Sequence, residues 1–147
     1  MGEPKSVEVK LESTLESVEL AEEMVKHFAE QHGFEDDEVH QIGMAVRESV
    51  VNAVVHGNAY SAQKKVLLAV EAGGDRFLVR VQDQGAGFEL KEIPDPLAEE
   101  NLLKRSGRGL FLIRAFMDEL SVRRLAPQGT EVVMVKNTPS NRHQGGS

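Results

Sequence analysis

Three polar side chains, Glu48, Asn52 and His56, recur at four-residue intervals in a segment whose apolar residues have helical spacing. On a helix this interval places successive side chains on one face, here at the edge of the buried stripe. A carboxylate and an amide one turn apart are suited to hold a cation and to accept a proton from a water or a hydroxyl group. A solvated helix face that ends in His-Gly accounts for the same row, so the row alone leaves both interpretations open.

A second motif, with Asp83 followed by Gly85 and Gly87, comes directly after a predicted strand. Asp83 has the parity of the apolar residues that alternate through 77–81, so its carboxylate is expected on the face that those residues bury. A buried carboxylate needs a donor, and the exocyclic amine of a purine would supply one. The glycines would let a flat ligand lie against the backbone. A Gly-rich turn capped by an Asp is the alternative.

A third motif combines two arginines with two glycines where a helix is predicted to begin at Leu110: Arg105, Gly107, Arg108 and Gly109. Free amides at a helix N-terminus and two guanidinium groups form an anion site, most simply for phosphates. An exposed loop that caps the helix is the alternative. The motif is not a Walker loop, because no Gly-Lys-Ser or Gly-Lys-Thr occurs in the chain.

The three motifs together predict a nucleotide site. The base amine would bind Asp83, the phosphates would lie at the start of the third helix, and a cation would bind Asn52. The prediction would be wrong only if the structural alternative held for each of the three motifs at once, in this order and in these contexts.

The elements that must position these residues follow from periodicity and turn signals. A strand is predicted over Ser6–Leu11, a helix over about Val18–His32 capped by Ser13, and a second helix from Asp36 to His56 with Gly57 just past its end. The remaining elements are a hairpin with arms at 66–70 and 77–81, a lid-like loop over 88–106 with a short helical turn near 97–103, a helix over 110–120, and a hairpin with arms at 121–125 and 130–136.

This order predicts an α+β fold, a two-layer sandwich in which an antiparallel-rich mixed sheet carries helices on one face. A single domain is expected over residues 1–136. The polar, Gly-rich segment 137–147 is expected to be a flexible tail.

Composition narrows the function classes. The chain has 147 residues and a net charge of −7, which argues against broad non-specific nucleic-acid binding. It contains no Cys, which excludes disulfides, thiolate zinc sites and a cysteine nucleophile. No apolar run approaches the ~20 residues that cross a bilayer, and no signal-peptide core opens the chain. A cytoplasmic protein that does not bind membranes is therefore expected.

At the level of whole motifs, the chain resembles the GHKL superfamily of gyrase, Hsp90, histidine kinases and MutL, whose ATP-binding domain has the Bergerat fold. Within it, the chain is most similar to bacterial anti-sigma factor serine-protein kinases. Residues 48–58 resemble the N box, residues 83–88 the first glycine box, residues 106–110 the second, and residues 129–132 the closing Gly-Thr strand.

The resemblance implies ATP and Mg²⁺ as cofactors and assigns roles to residues. Glu48 would be the general base, Asn52 would ligate Mg²⁺, and Asp83 would bind the adenine amine with help from Thr130 through a water. The implied nucleotide-binding set is Asn52, His56, Asp83, Gly85, Gly87, Arg105, Gly107, Arg108, Gly109, Leu110 and Thr130.

The resemblance further implies that the chain phosphorylates a Ser or Thr of an anti-anti-sigma partner of the STAS type and sequesters a sigma factor. It also implies that the chain can form a homodimer. Two other functions fit the same motifs. One is a nucleotide-gated binding module without kinase activity, and the other is a stand-alone histidine-kinase catalytic domain.

Overall fold

A computed structural model describes residues 5–85 and 109–139 of the chain. In chain order its elements are β1 (Lys5–Glu12), α1 (Leu15–Gln31), α2 (Asp36–Val51), a π-helical segment (Asn52–Gly57), β2 (Lys65–Gly73), β3 (Arg76–Gln82), α3 (Gly109–Phe116), β4 (Glu119–Arg124) and β5 (Thr130–Asn137). The predicted lid over 88–106, with its short helical turn, lies outside the described residues.

The five strands form one sheet in the order β1-β2-β3-β5-β4, and every pairing among them is antiparallel. Alternation along the strands gives the sheet one apolar face. In the central register Val70 pairs with Val79, and Val79 pairs with Met134; all three side chains are fully buried. They share one core with the buried stripes of α1 and α2, so the helices cover this face. The predicted α+β fold with helices on one face is confirmed.

The first helix begins earlier than predicted and has a different cap. α1 starts at Leu15, and the side chain of Thr14, not that of Ser13, accepts a hydrogen bond from the Ser17 N–H at 3.3 Å. The buried Ser13 hydroxyl does not cap the helix and bonds elsewhere: it donates to the Lys64 carbonyl at 2.6 Å and accepts from the Asn58 amide at 2.9 Å. Ser13 therefore ties the β1–α1 junction to the start of β2.

The second helix does not end on a glycine cap. Its last turn widens into the π-helical segment, in which the Asn58 N–H donates to the Ala53 carbonyl five residues back at 2.8 Å. Gly57, predicted to lie past the helix end, lies inside this segment. The left-handed backbone comes later, at Ala59 (φ 49°) and Tyr60 (φ 60°).

The third helix is shorter than predicted, because α3 ends at Phe116 and the chain turns at Asp118 into β4. The Asp118 N–H donates to the Val135 carbonyl at 2.8 Å, and its carboxylate accepts from the Asn137 N–H at 2.7 Å. Leu120, assigned to the helix stripe from its spacing, instead lies on β4 opposite Met134.

The two predicted hairpins are present. β2 and β3 pair directly up to Gly73 and Arg76, which leaves a two-residue turn at 74–75. β5 extends one residue beyond the predicted arm, to Asn137, and the Thr138 N–H donates to the Asp75 carbonyl at 3.0 Å. The start of the predicted tail is therefore part of the sheet, and residues 140–147 lie outside the described residues.

The opposite face of the sheet carries a buried acid. Glu131 on β5 is 5% exposed, and it accepts hydrogen bonds from Gln82 and Arg123 at 2.6 Å each, with Arg80 at 3.6 Å. Burial acts to raise the pKa of Glu131, but the two hydrogen bonds and the charges of Arg123 and Arg80 outweigh it and lower the pKa below its ordinary value. The cluster joins β3, β5 and β4 on the side of the sheet away from the helices.

Candidate functional site

Asp83 lies where β3 ends, and its side chain points into the fold as its parity predicts. The residue is 8% exposed. Its N–H donates to the Thr130 carbonyl at 3.0 Å, and Oδ1 accepts from the N–H groups of Gly85 at 3.0 Å and Thr130 at 3.2 Å. Backbone donors therefore stabilise the buried carboxylate in its charged form. Since a carboxylate only accepts, a ligand group that binds it must be a donor.

Three glycines from three different segments pack closely at Asp83 or against one another, and one of them, Gly57, lies against the carboxylate. A Cβ on Gly57 would overlap all three heavy atoms of the Asp83 carboxyl group. A Cβ on Gly85 would overlap the Gly57 carbonyl, and one on Gly129, where φ is +117°, would overlap the Asp83 carbonyl. The ends of the π-helical segment, β3 and the β4–β5 turn thus meet backbone to backbone at Asp83, which explains why the sequence has glycine at each position.

Glu48 and Asn52 lie one turn apart, where α2 continues into the π-helical segment. Glu48 lies in the last turn of α2, and its carbonyl accepts from the Asn52 N–H. Both side chains are half-buried. Asn52 opens the π-helical segment, and segments of this kind occur frequently at functional sites. The pair therefore lies at the end of the helix that reaches Asp83.

His56 does not continue the row of Glu48 and Asn52 on one helix face, as it would on a continuous α-helix. It lies in the π-helical segment, where each turn closes over five residues rather than four, and its side chain is exposed. The three side chains are therefore not related by one constant rotation.

Within residues 5–85 and 109–139, no group of three or more His, Cys, Asp or Glu side chains could hold a metal ion. The amide oxygen of half-buried Asn52 suits Mg²⁺ as one ligand beside phosphate oxygens and waters. In the same part of the chain, no helix has the length and apolarity to cross a membrane.

The predicted phosphate motif lies mostly outside the described residues. Gly87, Arg105, Gly107 and Arg108 belong to the segment between 85 and 109. Gly109 and Leu110 are the first two residues of α3, as the prediction of a helix start there requires. The core residue Ile113 places α3 on the same side of the sheet as α2.

Asn58 is the residue of this region whose role the sequence did not reveal. It is 1% exposed, and its amide nitrogen donates to Ser13 Oγ at 2.9 Å and to the Lys65 carbonyl at 3.0 Å. Its Oδ1 accepts from the Gln84 N–H at 2.8 Å. An asparagine after His-Gly is an ordinary loop residue by sequence, and two of its partners, Ser13 and Gln84, lie 45 and 26 residues away along the chain.

Comparisons with known proteins agree with this geometry. The family model of the histidine kinase-like ATPase domain matches residues 11–136. An anti-sigma F factor of Clostridium perfringens is 35% identical over 102 residues, which are 68% of this chain and 73% of that protein. One from Clostridium acetobutylicum is 32% identical over 133 residues, 88% of this chain and 92% of that protein.

A solved structure with the same fold contains the RsbU and RsbW domains of a Mycobacterium tuberculosis protein. It superposes with a TM-score of 0.65 at 18% identity and covers 92% of this chain and 33% of that one. This likeness establishes the fold, and the family match and the two relatives establish the family. The chain therefore belongs to the histidine kinase-like ATPase domain family and is a relative of the anti-sigma F factors.

Proposed function

We propose that this domain binds ATP with Mg²⁺, transfers the γ-phosphoryl group to a Ser or Thr of an anti-anti-sigma protein, and sequesters a sigma factor. The observation that carries the nucleotide site is the buried Asp83 carboxylate, held by two backbone N–H groups where three glycines meet. The family match and the anti-sigma F factor relatives support the kinase and the partners. The proposal places the protein in the cytoplasm.

In this reaction Asp83 accepts a hydrogen bond from the exocyclic amine of adenine and so selects the base, with Thr130 beside it. Asn52 would hold Mg²⁺, which neutralises phosphate charge when it is bound. The remaining predicted residues would complete the nucleotide site. Gly85 and Gly87 would let the flat base lie against the backbone, and Gly107 and Gly109 would contact the phosphates together with Arg105 or Arg108. His56 and Leu110 belong to the same predicted set.

Glu48 is the general base of the proposed transfer. Its carboxylate takes the proton of the acceptor hydroxyl, and the hydroxyl oxygen forms a bond to the γ-phosphorus. The bond from the γ-phosphorus to the bridging oxygen breaks, and that oxygen leaves with ADP. Glu48 is half-buried and lies one turn before Asn52, which supports a base and a metal ligand supplied by the same helix.

Calorimetric titration with ATP and GTP tests the base site. Asp83→Asn presents donors to the adenine amine and should weaken ATP binding by about 2–4 kcal/mol, while wild type should prefer ATP over GTP. Equal affinity of the wild type for the two nucleotides, or unchanged ATP affinity in Asp83→Asn, would contradict the proposed base contact.

Transfer of radiolabelled phosphate from ATP to candidate anti-anti-sigma domains tests the chemistry. Glu48→Gln keeps the shape of the side chain but cannot accept the proton, so transfer should fall roughly 10²–10⁴-fold with little change in ATP affinity. Asn52→Ala should instead weaken Mg·ATP binding and transfer together. Glu30→Gln, an exposed change on α1, is the matched control and should change neither.

The chemical stability of the label separates the remaining alternatives. Acid-stable label identifies phosphoserine or phosphothreonine and supports the proposal. Acid-labile label would indicate a histidine acceptor. Absence of label beside intact ATP-dependent partner binding would mean that the domain is a nucleotide-gated binding module.

A further inference from the structure

We propose that Asn58 is a positioning residue that sets the base selectivity of the nucleotide site through the Asp83–Gln84 peptide. The inference rests on the proposed function, because it concerns how Asp83 recognises the base. Asn58 touches neither the nucleotide nor the reacting atoms in this proposal. It acts through the loop that carries Asp83.

The side chain of Asn58 joins three segments that are distant in sequence. One amide group bonds the β1–α1 junction at Ser13, the first residue of β2 at Lys65, and the loop after β3 at Gln84. Ser13 in turn donates to the Lys64 carbonyl at 2.6 Å. Because Asn58 is 1% exposed, water does not compete well for these bonds, and a buried network of this kind has a strong preference for one geometry.

The bond to Gln84 is the one that reaches the site. The Gln84 N–H belongs to the peptide plane that begins at the Asp83 carbonyl, so a fixed N–H direction fixes this rigid plane. The other end of Asp83 is fixed by its own N–H, which donates to the Thr130 carbonyl at 3.0 Å. With the peptides on both sides held, the direction of the Asp83 Cα–Cβ bond is fixed, and the N–H groups of Gly85 and Thr130 then orient the carboxylate at its end.

Two further bonds hold Gln84 but are exposed. The Lys65 N–H donates to Gln84 Oε1 at 2.6 Å, and Gln128 Nε2 donates to the Gln84 carbonyl at 2.7 Å. Exposed bonds exchange with water at little cost, whereas the bond that Gln84 N–H donates to Asn58 Oδ1 is partly buried. Of the three bonds to Gln84, we therefore expect the one to Asn58 to constrain the Asp83–Gln84 peptide most.

The backbone around Asn58 is unusual on both sides. The π-helical segment precedes it, and its own N–H closes the last wide turn onto Ala53 at 2.8 Å. Ala59 and Tyr60 follow with φ of 49° and 60°, which is unfavourable for residues with a Cβ. Such conformations persist only where the surrounding structure determines them. Here they let the chain leave the helix with Asn58 directed into the core.

The test compares ATP with purine riboside triphosphate, which lacks the exocyclic amine, by calorimetry below the melting temperature. Wild type should bind ATP about 30-fold or more tightly than the analogue. In Asn58→Ala this ratio should fall about 10-fold, with the affinity for the analogue changing less than about 3-fold. Unchanged selectivity, or an equal loss for both ligands, would overturn the inference, because a merely structural role predicts one of these results.

Ser13→Ala is the matched control. It also removes a bond to the Asn58 amide nitrogen, but it leaves the bond from Gln84 N–H to Asn58 Oδ1 in place. It should lower thermal stability and keep the selectivity for ATP. A loss of selectivity equal to that of Asn58→Ala would mean that general loosening of the network is responsible, which also overturns the inference.

Combining Asn58→Ala with Asp83→Asn tests whether Asn58 acts through Asp83. In the Asp83→Asn background, the Asn58 substitution should change the ratio no further, and an additive loss would contradict the inference. If Asn58→Ala does not fold, Asn58→Ser takes its place, because the shorter hydroxyl side chain does not reach the Gln84 N–H and should lower the ratio in the same way. An unchanged ratio in Asn58→Ser would overturn the inference. Absence of selectivity in wild type would instead overturn the proposed base contact, and the inference with it.

Discussion

Replacing Gly57 by alanine tests the close packing at the site most directly. The added Cβ would lie 2.8 Å from Asp83 Oδ1 and closer still to the other two carboxyl heavy atoms. Two responses relieve this overlap. The carboxylate rotates away and loses its bonds to the Gly85 and Thr130 N–H groups, or the π-helical segment moves away from it.

Magnitudes decide between the two responses. Hydrogen bonds to a charged group contribute about 1.5–3 kcal/mol each, so losing both costs about 3–6 kcal/mol. Moving a packed segment to accept one methyl group costs about 1–3 kcal/mol, and alanine recovers about 1 kcal/mol through its helix propensity. The segment should therefore move, and the free energy of unfolding should fall by only about 1 kcal/mol.

In Gly57→Ala the free energy of ATP binding should fall by more than the free energy of unfolding. The segment that moves carries Asn52 and lies against Asp83, so both proposed ligand contacts shift together. We expect ATP affinity to fall about 30-fold, ~2 kcal/mol, measured by calorimetry beside urea denaturation.

Gly43→Ala on α2 is the matched control for that measurement. The atoms nearest to a Cβ there belong to flexible side chains, Lys26 at 2.7 Å and 2.8 Å and Glu22 at 3.5 Å. It should keep the ATP affinity and gain up to about 1 kcal/mol of stability. Wild-type ATP affinity in Gly57→Ala, or an equal loss in Gly43→Ala, would refute the packing argument.

Two further predictions concern stability. The lowered pKa of Glu131 means that its ion cluster stabilises the fold above the pKa of an unfolded glutamate, about 4.3, and that this contribution disappears as pH falls through the lower folded pKa. Glu131→Gln should therefore cost about 2 kcal/mol in urea denaturation at pH 7 and progressively less below pH ~4, whereas a deficit independent of pH would exclude the charge as its cause. Among the described residues, the buried Ser49 hydroxyl has no hydrogen-bond partner, so Ser49→Ala should raise the free energy of unfolding by about 1 kcal/mol. Ser17→Ala, which removes the buried hydroxyl beside the Thr14 cap, should lower it, and a loss in Ser49→Ala would contradict the assignment.

Features governed by local periodicity were predictable from the sequence. Phe77, Val79 and Val81 recur at every second position of β3, and the burial of Asp83 follows from their parity. The identification of Asp83 as a site candidate needed only this local argument. The layering of helices on one face of the sheet followed in the same way from the stripes of α1 and α2.

Features decided by contacts across the fold were not predictable. Gly57 after a helical stripe indicates an ordinary helix end, and only the approach of Asp83 shows why a glycine lies inside a π-helical segment. Ser13 and Thr14 are equally good helix caps by residue type. Only the structure shows that the Ser13 hydroxyl bonds the Lys64 carbonyl, 51 residues away, which leaves Thr14 as the cap. Leu120 satisfies both a helical and a strand spacing, so the boundary between α3 and β4 depended on Asp118.

The strand order also has a consequence for the time course of folding. The hairpins β2–β3 and β4–β5 close over short loops, whereas β1 pairs with β2 across both helices, and β3 pairs with β5 across residues 83–129. Closing long loops costs more entropy, so these two pairings should form last. The bonds of Asn58 to Ser13 and of Asp83 to Thr130 lie at those two late junctions. A chain in the course of folding would therefore acquire its nucleotide site only as the sheet is completed, and bound nucleotide would act mainly by slowing unfolding rather than by speeding folding.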